Sequence, residues 1–432
     1  MTKAPVQISV GPNMSFVLSK LGRVTALCVT IIATMCNGGC GGGSSSSGSS
    51  TTSPGVGIAV TFGGNVAPQA VASQIGANSW SIARLQGQTL NLTLPDGTSK
   101  YGIAYVCGAG QYTSEYVAYA TPQDGSSYTL SCYQPPPMGV ATGNVDASVI
   151  PGTTGVEIVG LLGSTGATFP VSGPFNTNMA TGTQDIAFVA LDASNSVLAV
   201  HIVRSQTVPG VVNDGDTITF LATDAVNLQS FSVSAAPPGF APPPAFSAAY
   251  VTASGTSIDL FSTSAGHYLL IPSAQSQPGD YYFFTSSDSN QAPGQLIYTS
   301  LTIPTPGAVT LTLPPPLTYS APTPAAFPNF NLAYTGFAGD NGVFDRAQIL
   351  WATPPAAQST ITVTATAAYQ NGLTVLAVPD LTGLSGFLPS AGSGTAVAWQ
   401  AGVYSGSYRW YAPTPVNGSL SFATNGNTFV AP

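Results

Sequence analysis

Segment after segment of this chain alternates a branched or aromatic side chain with a small or hydroxyl-bearing one. Examples are LNLTL at 90–94, YGIAYVC at 101–107, TITFL at 217–221, VTLTL at 309–313 and TITVTAT at 360–366; SIDLF at 257–261 and SLSF at 419–422 are shorter cases. Successive side chains on a strand point to opposite faces, so a period of two predicts strands with one face toward a core. Asp96-Gly97, Asp124-Gly125, Asn213-Asp214-Gly215 and Asn341-Gly342 lie between such segments. Each supplies a residue that tolerates positive φ, as a tight hairpin needs. Only Ala67–Ile75 admits a short helix as an alternative.

Composition narrows the choice further. Charged residues are 6% of the 432, against about 25% in an ordinary soluble domain. Coiled coils and helix bundles need Glu, Lys and Arg in quantity, and disorder driven by charge needs more still. Both are excluded. Eight Lys and Arg against sixteen Asp and Glu give a net charge of −8. That offers phosphates no attractive field, so no nucleic-acid partner is expected.

The first forty residues read as a targeting segment. Lys20 and Arg23 precede an eleven-residue apolar run, Thr25–Met35. That run is shorter than the roughly 20 residues a membrane span needs, but it suits a secretory signal. Residues 1–13 add nothing a signal needs, which makes Met14 a candidate start. Asn37, Gly38 and Gly39 then lead to Cys40, followed by GGGSSSSGSSTTSPG. This order resembles a bacterial lipoprotein signal, in which the cysteine becomes the lipid-bearing N-terminus. The resemblance implies lipidation of Cys40, with Cys36 as the alternative. Leu, which the family prefers three positions before the cysteine, is Asn37 or Ala33 here. Residues 41–55 form a Gly/Ser tether with a coil reach of roughly 20 Å. Five basic residues remain beyond residue 40 against all sixteen acids, for a net charge of −11. No later apolar stretch is long enough to cross a membrane, so the partner expected at the N-terminus is a bacterial membrane, held through lipid, with the body facing periplasm or exterior.

Beyond residue 40 only Cys107 and Cys132 remain. An even pair outside the cytoplasm predicts a disulfide. In the chain-entropy picture it is worth roughly 3–4 kcal/mol. Three proline clusters divide the body: Pro135–Pro137, Pro237-Pro238 with Pro242–Pro244, and Pro314–Pro316. Proline cannot donate to a ladder, so these mark edges or linkers. The expected blocks are 56–136, 137–236, 237–315 and 316–432. The fold class expected is all-β, as tandem β-sandwich modules of immunoglobulin-like type. Trp80, DGTSKYGIAYVC and YTLSC in the first block resemble the opening module of bacterial surface lipoproteins built from immunoglobulin-like and carboxypeptidase-regulatory-like sandwiches. That resemblance implies architecture and location and no chemistry.

Groups able to do chemistry are few. There are two histidines, His201 and His267, and Lys100 alone represents lysine beyond the leader. No nucleophile elbow, HExxH, Walker loop or paired CxxC occurs. No enzyme and no cofactor are therefore expected; a dispersed Ser–His–Asp site, with Asp192 upstream of His201, is the hydrolase alternative. No metal is assigned. Asp214 with Asp216, and Asp340 with Asp345, are weak calcium candidates, each also readable as an ordinary Asx turn. Two aromatic runs, Tyr281–Phe284 and Tyr408-Arg409-Trp410-Tyr411, have half their rings facing outward unless both strand faces are covered. Tyr408, Trp410 and Tyr411 are accordingly the candidate ligand-binding residues. The function expected is a non-enzymatic envelope surface protein with a protein or glycan ligand; the alternative is a glycan-binding protein using these aromatics.

Overall fold

A computed structural model describes residues 55–432, apart from 110–111, 213–215, 235–236, 241–243, 261–265, 291–293, 341, 354–356 and 408–416. The body is all-β, in packed layers. The alternating segments named above lie on strands or lead directly into them, and the one α-helix among the described residues is the single turn Ala367–Gln370. Ala70–Ile75 is a strand and not a helix. It pairs with Tyr101–Val106, sending Val71 into one core and Ala72 into the core on the other side.

Twelve strands hydrogen-bond into one sheet. From edge to edge they are Ser257–Asp259, Ala245–Val251, Tyr281–Asn290, Gln295–Ile303, Gly418–Val430, Ala396–Gly406, Phe344–Thr353, Ala357–Thr366, Tyr112–Ala120, Tyr101–Ala109, Ala70–Ile75 and Ser81–Ile82. The first, third and fourth expected blocks all contribute. Every neighbouring pair is antiparallel except one: Ala357–Thr366 runs parallel to Tyr112–Ala120, placing Thr362 beside Tyr116 and Thr364 beside Ala118.

On one face of the central strands, Ile349, Trp351, Ile361, Val363 and Trp399 pack against Leu317, Phe330, Leu332, Leu376 and Leu388. These partners come from two mostly irregular stretches, one between the third proline cluster and Phe344–Thr353 and the other after Ala357–Thr366. Proline-rich chain cannot extend a ladder, yet its flanking apolar residues can still roof a sheet. The opposite face, over Tyr101–Ala120, is covered by a three-stranded sheet, ordered Thr89–Leu94, Val56–Gly63, Ser127–Ser131. Ile58, Val60, Leu92, Tyr128 and Leu130 from that sheet meet Tyr101, Ile103 and Tyr105. Burying a side chain of this size contributes about 1.5–3 kcal/mol. The Cys107–Cys132 disulfide, with Cα atoms 5.3 Å apart, ties these two layers together. Asp96-Gly97 and Asp124-Gly125 do not close hairpins. Each leads the chain from one of these sheets to the other, because the strands flanking it lie in different sheets. Gly97 and Gly125 do take positive φ, at 80° and 139°.

The second block forms two four-stranded sheets. The strand Gly182–Leu191 is buried on both sides. Ile186, Phe188 and Ala190 face the block's own core, while Ala187, Val189 and Leu191 pack against Phe246, Tyr250 and Tyr282 of the third. Two-sided burial explains why this strand reads as a continuous apolar run.

Candidate functional site

Five ionisable groups of the second and third blocks, Asp185, His201, Arg204, Asp224 and Asp280, gather where those blocks meet. Arg204 lies on the strand Val197–Val208, and Asp185 lies on its antiparallel neighbour Gly182–Leu191. Arg204 Nη1 donates to Asp185 Oδ2 at 3.1 Å and to Asp280 Oδ1 at 3.2 Å, and Nη2 donates to Asp280 Oδ2 at 2.7 Å. Nη2 also donates to the Gln275 carbonyl. Asp280 further accepts from the Tyr250 hydroxyl at 2.6 Å and from the backbone N–H groups of Ala253 and Gln277 at 2.7 and 2.8 Å. Asp185 accepts from the Ser205 N–H at 2.9 Å. Burial alone would raise the Asp185 pKa, but the Ser205 N–H, the Ser254 and Thr252 hydroxyls and the Arg204 charge together hold it below the usual carboxylate range. Burial likewise opposes the Arg204 charge, and Asp280 and Asp185 outweigh it.

His201 stands three residues earlier on the same strand. Its Nδ1 lies 2.9 Å from Asp224 Oδ2. Gln275 Nε2 donates to the other Asp224 oxygen at 2.6 Å, and Gln275 Oε1 accepts from the Ile202 N–H at 2.9 Å. Asp224 Oδ2 also accepts the Leu221 N–H at 2.9 Å. A hydrolytic triad needs a hydroxyl on the histidine nitrogen that faces away from the acid. Among the described residues no hydroxyl occupies that position. Asp192, the acid suggested by sequence, instead accepts the N–H groups of Ser194 and Ser196, both at 2.8 Å. The His–Asp pair and the Arg–Asp–Asp cluster are joined through Gln275 and form one bolt between two blocks.

The remaining candidates scatter. Cys36 and Cys40 lie outside the described residues, as do Asp214, Tyr408, Trp410 and Tyr411. Asp216 is exposed. Asp340 accepts the Ser405 hydroxyl at 2.8 Å and borders an open groove of about 450 Å3 with Ser407, Ser419 and Ser421. Asp345 is buried and accepts from Gln370 Nε2 at 2.9 Å. The two aspartates thus serve different partners, and among the described residues no three potential metal ligands converge. Tyr281 to Phe284 are all buried. Tyr282 and Phe284 enter the core shared with the second block, while Tyr281 and Phe283 close against Val251 on the reverse face.

Two further features were not singled out from sequence. Glu115 is 1% exposed on the strand Tyr112–Ala120. One carboxylate oxygen accepts the Leu388 N–H at 3.1 Å and the other has no partner. Burial pushes its pKa up to about 7; the Leu388 hydrogen bond opposes that rise and the Asp380 charge adds to it. Arg346, on the strand Phe344–Thr353, is half-buried and makes no ion pair among the described residues. The signal for both was present in the sequence, as a charge inside an otherwise apolar segment: SEYVAYA and VFDRAQILW.

No family model matches this chain, and no curated protein matches it. Among solved structures, a candidate adhesin from Bacteroides ovatus aligns over 42% of this chain and 94% of its own, at 10% identity and a TM-score of 0.17. The Bacillus anthracis TIE protein aligns over 60% of this chain and 50% of its own, at 8% identity and a TM-score of 0.15. A streptococcal ancillary pilin aligns over 60% and 99%, at 7% identity and a TM-score of 0.14.

Proposed function

We propose that this chain is a non-enzymatic interaction protein of the bacterial envelope. Lipid on Cys40, or on Cys36, holds it to a membrane, and residues 41–55 act as its tether. The observation that carries the non-enzymatic reading is the bolt. His201, Asp224, Arg204, Asp185 and Asp280 are the groups best suited to chemistry, and all are committed to one another across a buried junction. A low-charge surface rich in Ser, Thr and Gly suits a spacer or display body, since it responds little to salt.

Anchoring is tested by feeding cells a fatty-acid analogue. Wild type incorporates it and Cys40→Ala does not. Label retained by Cys40→Ala moves the anchor to Cys36, and an unlabelled wild type contradicts lipidation. The hydrolase alternative rests on the His201–Asp224 contact, and a fluorophosphonate probe checks it. The expected result is no adduct; a labelled serine that disappears in His201→Gln would make the protein a hydrolase. With Tyr281–Phe284 buried, the aromatic glycan reading rests on Tyr408, Trp410 and Tyr411. Glycan capture that survives Trp410→Ala would remove them from it.

A further inference from the structure

The described part of the chain has four Lys and Arg side chains, and three of them have evident roles. Arg84 is exposed to water. Lys100 Nζ lies 4.7 Å from the centre of the Tyr369 ring. Arg204 is held by two aspartates. Arg346 is half-buried with no carboxylate partner and no ring beneath it among the described residues. A guanidinium stays charged at any physiological pH, so partial desolvation without a partner opposes folding.

Its surroundings form a pocket. The parallel joint sets three rows across the sheet. In one row Tyr105, Tyr116, Thr362 and Gln348 are neighbours on successive strands. In the next, Ala118, Thr364, Arg346 and Gly402 are neighbours. In the third, Thr366 and Phe344 continue to Tyr404. Large rings therefore flank a row in which Ala118 and Gly402 are small, and the sheet surface dips at Arg346. The Tyr105 and Tyr116 rings stack at 5.0 Å on one side, and the Phe344 and Tyr404 rings stack at 5.1 Å on the other. Tyr105, Tyr116 and Phe344 line one cavity with Arg346, and burial raises the pKa of Tyr105 and of Tyr404 while the Arg346 charge opposes both rises. Leu130, on the edge strand of the covering sheet, closes one wall. The cavity is about 170 Å3, and Thr362 and Thr364 are also in its lining.

That volume lies below the roughly 300–1,000 Å3 of sites that enclose a drug-sized molecule. The pocket accepts an end group and not a whole ligand. One guanidinium matches one negative charge, and its planar fork fits a carboxylate in bidentate fashion. The other polar groups in the lining are hydroxyls, which both donate and accept, as the hydroxyls of a sugar do. Capture of a peptide terminus commonly uses a nest of free backbone N–H groups; the floor here is a paired ladder. We propose that this pocket binds the carboxylated end residue of an acidic glycan, with Arg346 on the carboxylate, Thr362 and Thr364 on ring hydroxyls, and the flanking aromatic side chains against the ring. The proposal deepens the reading of the chain as a binding protein and rests on it, but it needs neither the anchor nor residues 408–416.

The test is a calorimetric titration of the purified full chain with methyl galacturonide and, separately, with methyl galactoside, which carries a neutral hydroxymethyl group where the galacturonide has its carboxylate. The expected result is saturable binding of the galacturonide that weakens as salt is added, with at least tenfold weaker binding of the galactoside. Arg346→Gln should lose at least tenfold in affinity with its thermal midpoint unchanged or raised. Thr364→Val, nearly the same shape, should weaken binding severalfold. No binding of the galacturonide, equal binding of the two sugars, or undiminished binding by Arg346→Gln would overturn the proposal. Tighter binding of N-acetylglycine, a mimic of a peptide terminus, would overturn it in favour of a protein ligand. Failure of the fatty-acid labelling would leave all these outcomes readable.

Discussion

Arg204 and Arg346 sit on strands of the same body, both shielded from water, and they are treated in opposite ways. Around Arg204 every polar neighbour converges: two carboxylates, a carbonyl and, behind the carboxylates, a phenol and three backbone N–H groups. Around Arg346 the cavity lining is rings, aliphatic side chains and hydroxyls, with no counter-charge among the described residues. The contrast separates a cation that holds two blocks together from one left open to a ligand. Removing one partner of a buried, satisfied ion pair strands the other, at about 3–5 kcal/mol. Removing a cation that has no partner strands nothing.

The largest expected effect comes from breaking the satisfied site. Asp280→Ala takes from Arg204 one of its two carboxylates and leaves the Tyr250 hydroxyl and two N–H groups without their acceptor, and should destabilise the chain by about 4 kcal/mol in urea unfolding. A loss under about 1 kcal/mol would mean the bolt is decoration. Next in size is the disulfide. Cys107→Ala with Cys132→Ala should lower stability by about 3 kcal/mol without touching either arginine, and the unfolding midpoint reports it.

A third prediction uses pH, because Glu115 is the acidic counterpart of Arg346: buried, with one oxygen unanswered. Its pKa rises from 4.5 to about 7 on folding. The folded state therefore holds its proton more tightly than the unfolded chain does. The resulting stability is fully present below about pH 4.5 and is lost as pH rises through about 7. Asp345, raised to about 7 by burial, acts with the same sign. Asp185, held low, acts with the opposite sign, and its contribution disappears as the solution is acidified below the usual carboxylate range. Glu115→Gln should accordingly stabilise the protein by about 2 kcal/mol at pH 8 and by little at pH 4. Thermal melts at the two pH values check this. An equal effect at both would show that the residue titrates normally. The smallest expected effect on stability is that of Thr364→Val, within about 0.5 kcal/mol, with its consequence confined to ligand affinity.

Much of this was legible in the sequence, and for identifiable reasons. The alternation at 90–94, 101–107 and 360–366 marks strands because each sets its larger apolar side chains on one face, against a core. The pairing of Cys107 with Cys132 followed from their being the two cysteines beyond the leader. Several features were hidden. The parallel pairing of Ala357–Thr366 with Tyr112–Ala120 joins distant segments whose side chains are equally suited to many neighbours, so nothing local specifies the match. Asp96-Gly97 and Asp124-Gly125 carry a hairpin signature, which says the chain turns there and is silent about which sheet receives the next strand. Half the rings of Tyr281–Phe284 face outward unless both strand faces are covered, and whether they are covered depends on layers contributed from elsewhere. The charged residues inside SEYVAYA, VFDRAQILW and LAVHIVRSQ are the most instructive case. In a chain so poor in charge, each was a visible exception. Only the packing of the blocks shows that, among the described residues, Arg204 meets two acids and Arg346 none.

The most direct test of that distinction is a side-by-side unfolding titration of Arg204→Met and Arg346→Met, two changes that remove the same guanidinium and keep a similar stem. The account predicts a loss of about 3–5 kcal/mol for Arg204→Met. For Arg346→Met it predicts a change within about 1 kcal/mol of zero, or a gain. Equal losses at the two positions would contradict it.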